Sequence, residues 1–244
     1  TDSIDYFAFD NPYRFPAPGD YEFMIWTDLE EDENRRNDTS YFSVTNAPII
    51  LELPYAESFE IWSGGWHSEE IYQPEAFWQR TGARQGTQAF DGFSVWRPGT
   101  MSTDDLVVES LLSPCFDFSE LDEDPIIQMA LYSDQFAPNQ QVLSFQYSTD
   151  EGKTWIRTRP NSSSLNWHTG SGEEAWNAPI EPGNWSLAEH VIGGLAGDTT
   201  VQFRLQYVRA ARAVSDGWQM DSFSILPRKL IDLALSEPSY ISED

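Results

Sequence analysis

One stretch of the chain limits its fold more than any other: Ser-Thr-Asp-Glu-Gly-Lys-Thr-Trp, residues 148–155. An alternating run of apolar and polar residues, 142–147, precedes it, and Ile156-Arg157-Thr158 follows it. Alternation is typical of a half-buried β-strand, and Gly152 supplies a position that tolerates a positive φ. The stretch therefore predicts a tight turn between two antiparallel strands.

The same residues resemble an Asp-box, a hairpin of the pattern S-x-D-x-G-x-T-W. The resemblance implies that the side chains of Ser148 and Asp150 hydrogen-bond the turn backbone, while Trp155 folds back over the turn. Asp-boxes occur in sialidases and also in many non-catalytic β-sandwiches of secreted proteins. The motif therefore predicts a structural turn and does not indicate an activity by itself.

Composition narrows the class of protein further. Ten Trp, fifteen Gly and fifteen Pro in 244 residues, with short alternating runs and little helical periodicity, predict an all-β chain. The formal net charge of −26, from 40 acidic and 14 basic residues, argues against nucleic acid and anionic membrane surfaces as partners. No apolar run is long enough to insert into a membrane. The single cysteine, Cys115, permits no internal disulfide.

Three pieces follow one another along the chain. Residues 1–48 hold two alternating runs joined by the acidic loop 28–38, and they resemble the C-terminal strands of an immunoglobulin-like, adhesion-type domain of bacterial surface proteins. Residues 228–244 contain one apolar run, which is similar to the first strand of a following domain of that kind, or to a strand exchanged between copies. We therefore expect one period of a tandem array in a larger secreted or cell-surface protein.

The middle piece, residues 49–227, carries the ordered segments SFE, GGW, LLSPCFDFS, FQYSTDEGKTW, VQFRLQY and DGWQMDSFSI. This order resembles the MAM-like jelly-roll modules of secreted bacterial proteins, of the cleaved-adhesin or choice-of-anchor type. The resemblance implies a jelly-roll β-sandwich. The chain departs from that pattern at Ser222, where a second Asp is usual, and in the long loop between residues 158 and 184.

The resemblance also implies a calcium site, because an acidic residue of the first strand meets one of the last strand in such modules. Glu60 and Asp221 take these two roles, Asp91 is a further ligand, and Glu57 and Asp216 are weaker candidates. Two carboxylates that are forced together repel one another unless a proton or a cation intervenes, and calcium prefers oxygen ligands. The alternative is that Glu60 and Asp221 simply face solvent.

Tryptophans suggest a second kind of site. Trp167 and Trp176 enclose a polar segment, and Trp96 lies in or near another loop. An indole face can stack on a sugar ring, so these three residues are candidates for glycan binding. The alternative for Trp167 and Trp176 is burial in the core, which we also expect for Trp66, Trp78 and Trp155.

Catalysis has little support in the sequence. No G-x-S-x-G, HExxH, P-loop or dinucleotide motif occurs, and the acidic residues are too many to single out a glycosidase pair. We therefore predict a non-catalytic, calcium-stabilised adhesion or structural module of a secreted or cell-surface protein. Its expected partners are neighbouring copies or domains of the same protein, polysaccharide, or a cell-surface glycoprotein. The alternative is a carbohydrate-binding module beside a secreted glycosidase or peptidase.

Overall fold

The computed structural model describes residues 11–28, 38–70, 78–83, 86–99, 106–134, 140–168, 174–210 and 217–228. The chain divides into two compact units, Thr1–Pro48 and Ile49–Asp244. Among the described residues, no helix has the length and apolar character needed to cross a membrane. The strand predicted within residues 229–244 lies outside the described residues.

The first unit is an antiparallel hairpin of β1 (Gly19–Trp26) and β2 (Thr39–Asn46). Both strands follow the predicted alternating runs, and most of the acidic loop between them lies outside the described residues. Phe23 and Phe42 stack across the pair, with ring centroids 5.1 Å apart. Tyr13 and Phe15 pack edge-on against Phe23. Several large apolar side chains of the hairpin remain exposed: Met24, Ile25, Trp26, Tyr41 and Phe42.

The second unit contains two sheets. In chain order, its strands in the described residues are β3 (Ile49–Ile50), β4 (Tyr55–Glu57), β5 (His67–Glu70), β6 (Gln79–Gly82), β7 (Ser94–Arg97), β8 (Val107–Phe116), β9 (Ile126–Ser133), β10 (Gln141–Ser148), β11 (Ile156–Arg157), β12 (Trp185–Val191), β13 (Val201–Arg209) and β14 (Trp218–Leu226).

The first sheet has the strand order β11-β10-β13-β8-β3, and β5 also pairs with β8. The second sheet has the order β12-β9-β14-β7-β6, and β4 also pairs with β14. All described pairings are antiparallel except that of β3 with β8. The strands at the ends of the first sheet are very short, because β11 and β3 have two residues each and β5 has four.

The two sheets pack face to face through alternate residues. In β13, buried Val201, Phe203 and Leu205 alternate with half-buried polar residues, which is the period-2 pattern of a strand with one face in a core. Phe145 of the first sheet contacts Phe203 of its neighbouring strand, with centroids 5.3 Å apart, and Phe223 of the opposite sheet, at 6.3 Å. The prediction of an all-β sandwich of the jelly-roll kind is confirmed.

The segment 158–177 closes one side of the sandwich. Leu143 of β10 exchanges two backbone hydrogen bonds with Trp176, of 3.0 and 2.8 Å. Leu165 exchanges two with Glu189 of β12, each of 2.9 Å. Because β10 belongs to the first sheet and β12 to the second, the described residues of this segment, 158–168 and 174–177, contact both sheets. These parts of the long loop noted in the sequence are therefore packed against the sandwich.

Candidate binding groove

The hairpin after β10 is held by the side chains that the sequence predicted. Ser148 Oγ donates to Asp150 Oδ1 over 2.8 Å and accepts the backbone N–H of Gly152 over 2.9 Å. Asp150 accepts the backbone N–H of Thr154 and, through Oδ2, its hydroxyl at 2.7 Å. These hydrogen bonds, led by the one from the Thr154 hydroxyl, lower the pKa of Asp150 to about 2. The turn is therefore fixed by a carboxylate that stays ionised.

Trp155, which was expected in the core, is instead half-buried in the lining of a groove, beneath a cation. The guanidinium carbon of Arg204 lies 4.3 Å from the centroid of the Trp155 ring. An indole face attracts a cation electrostatically, so the contact orients the guanidinium. The pKa of Arg204 is lowered, mainly by burial; Glu69 opposes the shift and the nearby charge of Arg157 adds to it.

Arg204 belongs to a row of polar residues on the outer face of the first sheet. Gln146 of β10 is the register partner of both Arg157 in β11 and Arg204 in β13. Side chains alternate between the two faces of a sheet, and the neighbouring Phe145 and Phe203 point into the core. The three polar residues therefore stand side by side on the opposite, outer face.

Gln146 is the fixed centre of this row, with only 2% of its surface exposed. Its Oε1 accepts hydrogen bonds from Nε and Nη2 of Arg204, at 3.0 and 2.8 Å. Its Nε2 donates to Ser144 Oγ at 2.9 Å and to Gln206 Oε1 at 3.2 Å. These bonds leave the amide little freedom and hold the guanidinium in one orientation.

A groove of about 750 Å³ runs along this row. Residues of β10, β11 and β13 line it together with the start of the 158–177 segment and the end of β12. Arg159 of the lining donates through Nε to Glu174 Oε1 at 2.8 Å. His190 also lines the groove, but burial, followed by the charge of His168, lowers its pKa to about 4. His190 is therefore neutral at pH 7.

The described lining carries more positive than negative charge. Three arginines, Arg157, Arg159 and Arg204, line the groove, whereas Glu174 is the sole carboxylate among the described lining residues. The chain as a whole has a formal charge of −26. The groove is thus a locally cationic concavity on a strongly acidic protein.

Trp167 supports this groove from within the core. Its Nε1 donates to Thr158 Oγ1 at 3.0 Å, and that hydroxyl donates to the Phe145 carbonyl at 3.0 Å. The ring of His190 stacks on the indole with centroids 4.8 Å apart. Trp167 thereby fixes two groove-lining residues, Thr158 and His190, while its own ring is 3% exposed.

The three tryptophans considered for sugar stacking are all covered by protein. Trp176 is fully buried and donates through Nε1 to the Asn166 carbonyl at 2.8 Å. Trp96 is 5% exposed and pairs with Met220 of β14. Together with Trp167 they belong to the core cluster. Burial favours the core alternative for all three, because stacking on a sugar requires an open ring face.

Four of the residues predicted to bind calcium, Glu57, Glu60, Asp91 and Asp221, lie in or near the loop 90–94. Strand β4, which ends three residues before Glu60, pairs with β14, which carries Asp221, and Glu57 lies opposite Phe223. The side chain of Asp221 is fully buried, and its oxygens accept the backbone N–H groups of Asp91 and Ser222 at 3.0 and 2.7 Å. Burial, which outweighs these hydrogen bonds, raises the pKa of Asp221.

Glu60 contacts the same loop. Its Oε1 accepts the backbone N–H of Ser94 at 2.7 Å, and its carboxyl group occupies the space where a Cβ on Gly92 would lie. Glu57 Oε1 accepts the N–H of Phe59 at 2.8 Å. Glu60 and Asp221 therefore both hold the 90–94 loop through peptide N–H groups.

In the part of the chain that the structure describes, no three acidic, His or Cys side chains surround a common point. Asp216, the fifth predicted ligand, lies outside the described residues. The described carboxylates act as acceptors that fix loop backbone, and calcium binding stays a prediction.

Sequence reasoning did not identify Gln146, Arg157 and Arg204 as a group. Gln146 and Arg157 flank the predicted turn, so the register of that hairpin would have paired them. Arg204 is 58 residues from Gln146, and only the order of strands in the sheet brings them together.

No protein-family model matches the chain, and no match is found among curated proteins. Among solved structures, the K1 cleaved adhesin domain of Lys-gingipain from Porphyromonas gingivalis W83 is similar over 71% of this chain and 98% of its own, with 15% identity and a TM-score of 0.41. The K3 domain of that protein aligns over 70% and 97%, with 18% identity and a TM-score of 0.40. A carbohydrate-binding module of the β-sandwich superfamily aligns over 88% and 76%, with 12% identity and a TM-score of 0.44. Because these TM-scores lie below 0.5, we take the function from this chain's own residues.

Proposed function

We propose that this chain is a non-catalytic, extracellular binding module whose ligand, a polysaccharide or a cell-surface glycan, lies in the groove along β10, β11 and β13. The observation that carries the proposal is the buried amide of Gln146, which holds Arg204 in place and meets Gln206 in the same groove. Binding sites commonly use a few fixed polar groups within a concave surface to orient a ligand.

The groove offers donors that are not used within the protein. Arg157 makes no hydrogen bond or ion pair with any described residue, and Arg204 uses only Nε and Nη2. Each guanidinium carries five N–H donors in a plane. Donors of this kind, beside the side-chain amides of Gln206 and Asn161, suit the hydroxyl groups of a sugar.

The lining also supports a non-catalytic role. Glycoside hydrolysis commonly needs two carboxyl groups on either side of the scissile bond. Among the described lining residues, Glu174 is the sole carboxylate, and it is paired with Arg159. His190 contacts Ser164 Oγ through Nδ1 at 2.9 Å and is neutral at pH 7. These groups suit recognition of a ligand.

A glycan panel tests this proposal. We expect the wild-type chain to retain at least one extended polysaccharide in affinity electrophoresis, and Trp155→Ala to weaken retention about tenfold, because the Arg204 guanidinium loses its indole platform. Trp62→Ala is the matched control, since this half-exposed indole does not line the groove. Equal retention by wild type and Trp155→Ala, or retention of no glycan at all, would overturn the proposal.

A second proposal concerns adhesion between copies or domains. An isolated two-stranded hairpin is at best marginally stable in water, yet β1 and β2 leave Trp26 and Tyr41 61% and 74% exposed. We propose that residues 1–48, which contain this hairpin, and residues 228–244 form end-to-end contacts with a neighbouring domain or copy of the same surface protein. Sedimentation velocity should show concentration-dependent association that deletion of residues 228–244 abolishes; a monomer at all concentrations would contradict it.

Calcium stabilisation is retained as a third proposal. It is supported by the several carboxylates near the loop 90–94, which repel one another without a counter-charge. Adding calcium after complete chelation should raise the melting temperature, and Glu60→Gln should reduce the rise. An unchanged melting temperature would remove the proposal while leaving the groove untouched.

A further inference from the structure

We propose that the ligand of the groove is an acidic glycan, one whose sugars carry carboxylate or sulfate groups, and that Arg157 and Arg204 bind those groups. This inference rests on the proposed function and specifies its ligand class. Both arginines belong to the row through Gln146, one in β11 and the other in β13. Neighbouring strands lie about 4.8 Å apart, so the two backbones are about 10 Å apart across the intervening strand.

The first argument is the charge balance of these two side chains. Two cations that lie near each other and share no acidic partner raise the free energy of the site. Neither arginine forms an ion pair with a described acidic residue, and the charge of Arg157 helps to lower the pKa of Arg204. Burial is the largest cause of that lowered pKa, and the attraction of Glu69, although stronger than the repulsion from Arg157, does not offset burial. An anion in the groove would stabilise the charged guanidinium.

The second argument is that arginines without an ion-pair partner are unexpected in so acidic a chain. Acidic residues outnumber basic ones by 40 to 14, so a randomly chosen arginine would have carboxylates nearby. Arg159 shows the ordinary case, since it is neutralised by Glu174. Arg157 and Arg204 form no ion pair with a described carboxylate although they line the same groove, and Glu174 and Glu69 act on them only at longer range.

The third argument is that the guanidinium of Arg204 is preorganised for binding a ligand. Trp155 lies 4.3 Å below its guanidinium carbon, and Gln146 Oε1 occupies Nε and Nη2. The Nη1 edge makes no hydrogen bond within the described residues. A guanidinium fork matches the geometry of carboxylate and sulfate oxygens. Because the side chain is already ordered, little rotamer entropy remains to be lost on binding.

The remaining groups of the groove suit a sugar rather than a small inorganic anion. Gln206 and Asn161 are amide-bearing side chains of the lining, and amides can donate to and accept from hydroxyl groups. Ile156 is 50% exposed at the same place and offers an apolar contact. A groove of about 750 Å³ accommodates more than a single ion.

Calorimetric titration of the full chain with three soluble probes tests the inference: oligogalacturonate, its fully methyl-esterified form, and a sulfated oligosaccharide of matched length. We expect at least one acidic probe to bind about tenfold more tightly than the neutral ester, since hydrogen bonds to charged groups are stronger than those between neutral groups. Which acidic probe binds identifies the carboxylate or the sulfate as the recognised group.

Variants locate the effect. Arg157→Gln should weaken the acidic probe about tenfold and the ester much less, and the side chain that it removes makes no hydrogen bond or ion pair with a described residue. Arg228→Gln is the control, because it removes one positive charge from an exposed residue outside the groove. Arg204→Gln should act like Arg157→Gln, with near-ultraviolet circular dichroism confirming the fold.

The outcomes separate this inference from the proposed function. If the ester binds as tightly as the acid and Trp155→Ala weakens both, the acidic specificity is wrong while the groove remains the site. If Arg157→Gln and Arg228→Gln weaken binding equally, the effect comes from overall charge and the assignment to Arg157 is overturned. If no probe and no glycan of the panel binds, the proposed function itself fails.

Discussion

Glu109 is buried within the sandwich, and this should make the stability of the protein fall between pH 5 and pH 8. Only 1% of its surface is exposed, and its Oε2 accepts the N–H of Gly99 at 3.2 Å. Burial raises the pKa of Glu109 from 4.5 to about 7, although the hydrogen bond from Gly99 and the charge of Arg209 oppose the shift. The folded state therefore favours the neutral carboxyl group.

The sign and size of the effect follow from that shift. A carboxyl group whose pKa is higher in the folded state stabilises the fold fully below its unfolded pKa, and that contribution is lost as the pH rises through the folded pKa. Each pKa unit corresponds to about 1.4 kcal/mol. Relative to low pH, the change in pKa from 4.5 to about 7 therefore lowers the free energy of unfolding by about 3 kcal/mol at pH 8 and by under about 1 kcal/mol at pH 5.

Glu109→Gln isolates this contribution, because glutamine keeps an acceptor for Gly99 but cannot ionise. Urea unfolding of both proteins at pH 5 and pH 8 gives the difference between their free energies of unfolding at each pH. The contributions of the other acidic residues are the same in both proteins and cancel in this difference. We expect the variant to gain about 2 to 3 kcal/mol relative to wild type on going from pH 5 to pH 8. Glu120→Gln, at an exposed turn position, should show no such gain.

The same difference between Glu109→Gln and wild type at both pH values would refute the reasoning. That result would mean that Glu109 ionises in the folded state as readily as in the unfolded chain. A gain of equal size in Glu120→Gln would also refute it, since the effect would then be one of net charge.

Three further substitutions test other contacts. Gly92→Ala should lower the free energy of unfolding by about 1 to 3 kcal/mol, because the φ of Gly92 is +60° and the Glu60 carboxyl group occupies the added Cβ position. In a Glu60→Ala background this loss should be smaller, which a double-mutant cycle by urea unfolding measures. Asp150→Ala should lower the melting temperature at pH 6. Because the pKa of Asp150 is depressed to about 2, the difference in melting temperature from wild type should shrink as the pH falls from about 4 towards 2. A difference that stays constant with pH would contradict the role of Asp150 in the turn. Trp176→Ala should cost about 3 to 5 kcal/mol in urea unfolding, as for a fully buried aromatic ring; a loss below 1 kcal/mol would show that the 158–177 segment is not part of the core.

The fold could be predicted from the sequence because its signals are local. Alternation over residues 142–147 and 201–207 marks β10 and β13, and the turn between β10 and β11 depends on residues within one short stretch. The resemblance placed Glu60 and Asp221 on neighbouring strands, and β4, which ends three residues before Glu60, does pair with β14.

The candidate site could not be predicted in the same way. Its row depends on strand order, since Gln146 and Arg204 meet only because β10 and β13 are adjacent. The choice between core and loop for Trp167 and Trp176 stayed open for a related reason. The polar residues between them are typical of an open loop, whereas Leu165 pairs with β12, Trp176 pairs with β10, and both indoles lie in the core. Local composition does not reveal which side of such a segment faces inward.

The edge strands of the first sheet are short, and this affects how the protein behaves at high concentration. A long, unpaired edge strand exposes backbone N–H and C=O groups that can hydrogen-bond to a strand of a second molecule, and aggregation can follow. Here β11 and β3 offer two residues each, too few to template such growth. The first sheet can therefore approach another molecule through its side chains, without fibre-like backbone pairing along these two strands.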